Sequence, residues 1–242
     1  MADRAVFLDR DGTIIEDPGF VTRPEQVCLV PGSADAIRRL RAAGYRVVVV
    51  TNQSGVARGL LDEQQLAAIH ERMQAELARR GTQLDAIYYC PYLPGPEAVV
   101  EQYRRDSDLR KPKPGMLLRA ARELGLDLAA CWMIGDSSQD VEAGRAAACR
   151  TILIGQSGCE GSDSADFVVP DLVAAAEIIE RDGRSKAPAA SGQPSLRTES
   201  LLEQMLEELR ELRRGRMYEE FSLAKLAAAV LQVVALGLFV WA

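Results

Sequence analysis

The chain has 242 residues, 48% of them hydrophobic, which is enough for one domain of ordinary size with a well-filled core and roughly 60 further residues. Its formal net charge of −6, with acidic and basic residues interspersed, excludes the basic face that nucleic-acid binding requires and favours small-molecule chemistry. Five irregularly spaced cysteines and an N-terminus without an apolar signal region predict a reducing, cytosolic compartment and no disulfide bonds.

Short apolar runs alternate with segments of helical periodicity through the first 180 residues. In chain order the pattern predicts strand 5–8, helix 33–43, strand 45–50, helix 62–80, strand 86–89, helix 114–124, strand 131–134, helix 138–147, strands 151–154 and 167–169, and helix 171–180. Such alternation predicts an α/β fold, with a doubly wound, mainly parallel Rossmann-like sheet covered by helices on both faces. The uninterrupted run VVVV indicates a strand that is buried on both sides.

The composition changes after residue 181. Residues 182–200 are rich in Ser, Ala, Pro and Gly and have no apolar period, which predicts a flexible linker after a catalytic-sized domain at 1–181. Residues 201–220 predict a charged amphipathic helix. Its apolar residues have the spacing of a coiled-coil seam of about two heptads, which is enough for weak self-association between helices.

The last segment, residues 221–242, is almost wholly apolar and predicts a helix that anchors the chain in a membrane. A helix buried in an oligomer is the alternative. The arginines before the apolar run would keep the first domain on the cytoplasmic side of that membrane. They are Arg210, Arg213, Arg214 and Arg216.

Polar residues follow three predicted strands at the point where each strand ends. They are Asp9 and Asp11 after the first, Thr51 and Asn52 after VVVV, and Asp136 and Asp140 after the strand 131–134. Ligands bind outside the carboxyl ends of parallel strands, so these side chains are expected to meet in one crevice. Each group alone is as typical of an ordinary turn or helix cap as it is of a functional site. Their joint placement favours a functional site.

The carboxylates predict a metal site. They would repel one another in a shared crevice unless a cation offset their charge, and hard oxygen donors suit Mg²⁺. One carboxylate can then attack phosphorus to give an aspartyl-phosphate, while a second protonates the leaving oxygen and later takes a proton from water. Asp9 and Asp11 lie two positions apart in an extended chain and therefore project to the same side, which places the two roles together.

Four motifs, AVFLDRDGTI, VVVVTNQSGVARG, DLRKPKPGM and MIGDSSQDVEAG, resemble those of the haloacid dehalogenase (HAD) superfamily of phosphatases. The resemblance covers about residues 4–180. More narrowly, FLDRDGT with TNQSGVARG and RKPKPGM is similar to the cap-less branch that contains heptose bisphosphate phosphatases and histidinol-phosphatases. This resemblance implies a Mg²⁺-dependent phosphatase that acts on a small phosphorylated metabolite. The expected reaction is removal of the 7-phosphate from heptose 1,7-bisphosphate, and the alternative substrates are histidinol phosphate and other sugar phosphates.

The resemblance also implies a role for each matching residue. Asp9 would be the nucleophile and Asp11 the general acid and base. Thr51 and Asn52 would hold the transferring phosphate, and Lys111 would neutralise it. Mg²⁺ would be bound by Asp9, Asp136 and the backbone carbonyl of Asp11, with Asp140 as an orienting partner behind them. Arg58 and Arg110 resemble residues that hold the remote part of the substrate, and the loop from residue 90 to 110 would form the main wall facing it.

The sequence departs from this branch at one place. The branch commonly carries a structural zinc site, Cys-x-His followed by Cys-x-Cys, before Arg-Lys-Pro. The corresponding residues here are Cys90, Tyr92, Ser107 and Leu109, so one ligand of four remains and no zinc is expected. The single histidine, His70, is predicted to be a surface residue of a helix. The other cysteines, Cys28, Cys131, Cys149 and Cys159, are expected to pack as small apolar groups.

A different class of function remains open at this point. The same doubly wound sheet also serves modules that accept a phosphoryl group or only bind a partner. Asp11 separates the two possibilities, because a module that merely stores a phosphoryl group does not need an acid and base two residues from its nucleophile.

Overall fold

The computed structural model describes residues 3–156, 158 and 161–186. The strands are β1 (Ala5–Leu8), β2 (Arg46–Asn52), β3 (Ala86–Cys90), β4 (Trp132–Gly135), β5 (Arg150–Ile154) and β6 (Phe167–Val169). The helices are α1 (Ser33–Ala42), α2 (Glu63–Arg79), α3 (Gly115–Leu124), α4 (Ser138–Ala146) and α5 (Leu172–Lys186). The predicted elements are therefore present in the predicted order, with ends that differ by one or two residues except at α5.

All six strands are parallel and form one sheet in the order β3-β2-β1-β4-β5-β6. β1 lies between β2 and β4, and Leu8 is level with Val49 on one side and Ile134 on the other. The carboxyl ends of these three strands consequently lie side by side. This confirms the predicted α/β fold with a parallel sheet, and it brings the three groups of polar residues to one edge.

Each face of the sheet is covered by its own helices. Alternate residues of β1 contribute to opposite sides: Val6 and Leu8 pack with α1, α2 and α5, while Ala5 and Phe7 pack with α3 and α4. The run at 47–50 is fully buried because its residues also divide between these two cores. The predicted strand that is buried on both sides is therefore confirmed.

Three expectations from the sequence need correction. α5 continues past the predicted end at residue 180 to Lys186, into the predicted linker. Cys28 is exposed, since Val27 and Leu29 on either side of it face the core. His70 is buried rather than on the surface, because it lies four residues after Leu66 on the apolar face of α2.

The predicted charged helix at 201–220 and the apolar helix at 221–242 lie outside the described residues, as do Cys159 and most of the predicted linker. Among the residues that are described, no helix combines the length and the apolar character needed to cross a membrane. The membrane anchor and the self-association of the charged helix therefore stay predictions.

Candidate active site

A polar crevice of about 280 Å³ opens at the carboxyl ends of β1, β2 and β4. It is lined by most of the residues that the sequence singled out: Asp9, Asp11, Thr51, Asn52, Arg110, Lys111 and Asp136. Asp140 lies directly behind them and is fully buried. The fold therefore assembles the predicted constellation, with the exception of Arg58.

Lys111 is the central cation of the crevice. Its ammonium group lies 2.7 Å from Asp9 Oδ1 and 2.5 Å from Asp140 Oδ1, and it donates a hydrogen bond of 2.9 Å to the carbonyl of Val50. The ammonium group thus lies beside three oxygen atoms, while the lysine side chain is only 3% exposed. Lys111 compensates two carboxylates that burial would otherwise make unfavourable.

Asp140 is held between Lys111 and the start of α4. Its Oδ2 accepts hydrogen bonds from the Ser137 hydroxyl, at 2.6 Å, and from the Ser137 backbone N–H, at 3.2 Å. Ser137 is the N-cap residue of α4, so this contact closes a capping box at the helix start. Both carboxylate oxygens of Asp140 are therefore engaged, one by Lys111 and the other by Ser137.

Gly12 allows the loop after β1 to approach Asp136. It has a φ of 70°, which a glycine adopts without strain, and a Cβ added there would lie 1.9 Å from Asp136 Oδ2. Ligand atoms of Asp9, Asp136 and Asp140 lie within 4.8 Å of one another. This donor set consists of hard oxygen atoms and suits a small divalent cation such as Mg²⁺.

The pKa values of these groups follow from burial and from their neighbours. Burial raises the pKa of Asp9 to about 7, with Lys111 opposing and Asp140 adding to the rise. Desolvation and then Asp140 raise the pKa of Asp136 to about 6. Burial would lower the pKa of Lys111, but Asp140 and Asp9 outweigh it and hold that pKa above its ordinary value. The lysine is therefore charged at neutral pH.

Two residues that hold Asp11 received no role from the sequence. Arg10 Nε lies 3.1 Å from Asp11 Oδ1 and Arg10 Nη2 lies 2.9 Å from the same atom, while Gln53 Nε2 donates to Asp11 Oδ2 at 2.9 Å. Arg10 is 1% exposed although it is charged. The only sequence feature that could have indicated this role is the position of Arg10 between Asp9 and Asp11. The alternation of side chains in a strand does not show that the Arg10 side chain turns inward to contact Asp11.

Thr51 and Asn52 take different positions at the end of β2. Thr51 is buried, and its hydroxyl oxygen accepts a hydrogen bond of 2.9 Å from Gln53. The Asn52 side chain brackets the backbone of Lys111: its Nδ2 donates to the Lys111 carbonyl and its Oδ1 accepts from the Lys111 N–H, each at 3.0 Å. Asn52 thereby fixes the loop that carries the lysine.

The two candidate arginines differ in location. Arg110 lines the crevice and donates a hydrogen bond of 3.4 Å to the carbonyl of Tyr92. Arg58 does not line it: its guanidinium is ion-paired with Glu97 and lies 5.8 Å from the centre of the Phe20 ring. Phe20 lines the crevice and Arg58 does not, which weakens the case for a direct substrate contact by Arg58.

The wall of the crevice also differs from the expectation. Its lining includes Asp17 and the residues 19–21, whereas the loop from residue 90 to 110 contributes Arg110. The remainder of that loop packs on itself, with Tyr92 against Tyr103 and the Arg105 guanidinium 3.9 Å from the centre of the Tyr92 ring. The segment after β1 therefore contributes more of the crevice lining than the loop from residue 90 to 110 does.

The residues at the zinc-ligand positions make ordinary hydrogen bonds. Cys90 Sγ donates to the Tyr92 carbonyl at 3.8 Å, and the Ser107 hydroxyl accepts from the Leu109 N–H at 3.2 Å. Burial raises the pKa of the Cys90 thiol, which disfavours the thiolate that zinc requires. That this chain does not bind zinc stays a prediction.

Comparison with known proteins gives consistent matches. The HAD-hydrolase-like family model matches residues 108–175. A D-glycero-beta-D-manno-heptose-1,7-bisphosphate 7-phosphatase of Photorhabdus laumondii is 44% identical over 172 residues, covering 69% of this chain and 90% of that protein. The protein of the same name from Escherichia coli K12 is 42% identical over 181 residues, covering 73% and 94%.

Solved structures agree with these relatives. The chain is similar to the D,D-heptose 1,7-bisphosphate phosphatase of B. bronchiseptica, complexed with magnesium and phosphate, at a TM-score of 0.64 and 36% identity. The match covers 74% of this chain and 99% of that one. The corresponding phosphatase from Burkholderia thailandensis has a TM-score of 0.52 and 34% identity, covering 73% and 97%.

Proposed function

The chain belongs to the HAD-type phosphatases, in the family of the heptose bisphosphate phosphatases, and from this membership we propose that it removes the 7-phosphate of D-glycero-β-D-manno-heptose 1,7-bisphosphate. It is thus a phosphoric monoester hydrolase. The single observation that carries the proposed substrate is the 44% identity over 90% of a relative with that activity in its name. The non-catalytic alternative does not agree with this membership.

We assign the first chemical step to Asp9 and Asp11. The Asp9 carboxylate attacks phosphorus and forms an aspartyl-phosphate while the bond from phosphorus to the sugar oxygen breaks. The proton of the Asp11 carboxyl passes to that leaving oxygen. Lys111, 2.7 Å from Asp9, supplies positive charge beside the reacting phosphoryl group throughout.

The second step restores the enzyme. Asp11, now a carboxylate, takes a proton from a water molecule as the water oxygen attacks phosphorus. The bond from phosphorus to the Asp9 oxygen breaks, which regenerates the Asp9 carboxylate and releases inorganic phosphate. The contacts of Asp11 with Arg10 and Gln53 support this role, because they fix the carboxylate in one orientation beside the nucleophile.

Asp9, Asp136 and the backbone carbonyl of Asp11 would hold the Mg²⁺ ion. When bound, Mg²⁺ neutralises charge on the phosphoryl oxygens and on the carboxylates. The support comes from the proximity of the Asp9 and Asp136 carboxylates, from the close approach of Gly12 to Asp136, and from the magnesium and phosphate complexed with the B. bronchiseptica relative. Asp140 stays behind this group as the partner of Lys111.

Magnesium affinity is expected to rise with pH. Protons on Asp9 and Asp136, whose pKa values are raised to about 7 and about 6, compete with the ion. The dissociation constant should therefore fall from pH 5 to pH 8 and level off above, with protons released on binding. Calorimetric titration of Mg²⁺ in buffers of different ionisation enthalpy measures both quantities. An affinity independent of pH would contradict the assignment of these ligands.

Arg110 is proposed to hold the phosphate that does not react. Arg110→Ala should lower kcat/KM for the bisphosphate by about 10- to 100-fold, since a charge-assisted contact is lost, and should change an aryl phosphate much less. Steady-state kinetics with both substrates measures the difference. Arg58→Ala is the comparison: because Arg58 lies outside the crevice, we expect a smaller effect. Equal losses on both substrates would place Arg110 at the reacting phosphate instead.

A substrate screen tests the proposed function as a whole. The purified chain with Mg²⁺ is incubated with phosphorylated metabolites, including both heptose bisphosphate anomers and histidinol phosphate, and phosphate release is measured. The highest kcat/KM is expected for the heptose bisphosphate. A higher value for histidinol phosphate would replace the proposed substrate within the same mechanism.

We also propose that residues 221–242 attach the chain to the cytoplasmic face of a membrane. The support is the apolar sequence alone, preceded by four arginines between residues 210 and 216. Fractionation of the full chain tests this proposal, because a spanning segment keeps the protein in the membrane pellet at high salt and at alkaline pH.

A further inference from the structure

His70 lies behind the active site on the buried face of α2. Its Nε2 is 3.3 Å from Nη1 of Arg10, and its ring packs against Tyr89 with centroids 5.7 Å apart. The side chain is 8% exposed. The mechanism above does not use His70, yet it contacts the guanidinium that holds Asp11.

The protonation state of His70 follows from this contact. An arginine side chain has only N–H donors, so the histidine nitrogen that faces Nη1 must accept. Nε2 is therefore unprotonated and the ring is neutral, with its proton on Nδ1. Burial and then the charge of Arg10 lower the pKa of His70 to about 3, in agreement with a neutral ring at physiological pH.

Arg10 divides its donors between these two partners. Nε and Nη2 are directed at Asp11, and Nη1 is directed at His70. A guanidinium is planar, so fixing Nη1 at one end also fixes the direction in which the other two donors point. Nη1 without His70 would be a buried donor, and the guanidinium would turn toward other acceptors or water.

We propose that His70 is a positioning residue for Asp11: its Nε2 holds the Arg10 guanidinium in the orientation that presents the Asp11 carboxyl to the leaving oxygen. This inference rests on the proposed function, since it assigns His70 to the acid and base of that reaction. His70 touches neither the substrate nor Asp11 and acts through Arg10.

The test compares two leaving groups. A nitrophenolate leaves without a proton, whereas the alkoxide of a sugar or glycerol phosphate requires one from Asp11. His70→Met removes the acceptor with little change in size. It should lower kcat/KM for glycerol phosphate by about 10- to 100-fold, part of the 10² to 10⁴ that acid–base catalysis supplies, and for 4-nitrophenyl phosphate by less than about threefold.

Two further variants separate positioning from packing. His70→Gln places an amide oxygen where Nε2 stands and should restore most of the activity on glycerol phosphate. Leu77→Ala opens a cavity on the same face of α2 about 10 Å from His70 and should affect both substrates alike. Should His70→Met not fold, His70→Asn, whose amide is too short to reach Nη1, gives the same comparison with His70→Gln.

The outcomes are distinct. Selective loss on glycerol phosphate in His70→Met with recovery in His70→Gln supports the role. Equal losses on the two substrates, or a His70→Gln variant as impaired as His70→Met, would overturn it. If the unsubstituted chain hydrolysed neither ester nor the heptose bisphosphate, the proposed function would fall and this role with it, whereas an active enzyme with uniform losses would refute the role of His70 alone.

Discussion

Asp9→Asn should lower turnover by at least about 10⁴-fold, because an amide is not a nucleophile toward phosphorus and the covalent intermediate cannot form. Asp11→Asn should be milder, at about 10² to 10⁴-fold, since it removes only the proton transfers. Steady-state phosphate release with saturating Mg²⁺ measures both variants. Asparagine is close in size to aspartate, so the folded structure should persist, and the melting temperature checks this.

Asp35→Asn provides the matched control for Asp9→Asn. Asp35 lies in the first turn of α1, is 52% exposed and pairs with Arg38 at the surface. Turnover by this variant should stay within about threefold of the unsubstituted chain. Near-normal turnover by Asp9→Asn would refute the covalent mechanism.

Lys111→Met is expected to affect stability and activity together. Removing the ammonium group leaves Asp9 and Asp140 buried without their cation, and breaking a buried ion pair in this way costs about 3 to 5 kcal/mol in the free energy of unfolding. Turnover should fall by at least about 10²-fold, since the reacting phosphoryl group loses its neighbouring charge. Denaturant unfolding and phosphate release measure the two effects.

Lys113, two residues further along the same loop, is the matched control for Lys111. Its side chain is 41% exposed and its ion pairs with Asp106 and Asp108 lie at the surface. Lys113→Met should therefore change the free energy of unfolding by no more than about 0.5 kcal/mol. Similar losses of stability in the two variants would mean that the Lys111 pairs contribute no more than a surface contact.

The grouping of polar residues at the carboxyl ends of the strands was predictable from the sequence. Asp9, Thr51 and Asp136 each follow an apolar run, and parallel strands bring their carboxyl ends to one edge whatever the details of packing. These inferences depend only on the period and order of elements. The role of Lys111, by contrast, was expected from the resemblance of RKPKPGM to a motif of the HAD phosphatases.

The supporting contacts could not be predicted in this way. His70 is polar, and residue type alone favours the surface of a helix, yet its partner Arg10 comes from a distant part of the sequence. Asn52 matches a phosphate-binding motif, but its side chain meets the backbone of Lys111, which only the folded loop reveals. Pairings between separated segments decide such positions, and no local pattern encodes them.

The arrangement of Gly12 beside Asp136 has a thermodynamic consequence for the domain. The proposed ion would bridge the loop after the first strand and the end of the fourth, so no single segment can bind it alone. Its binding free energy would therefore be added to the global unfolding equilibrium rather than to a local opening. Free Mg²⁺ at 100 times its dissociation constant would shift that equilibrium by about 2.7 kcal/mol toward the native state. Magnesium would then act on the fraction of the chain that is folded as well as on its turnover.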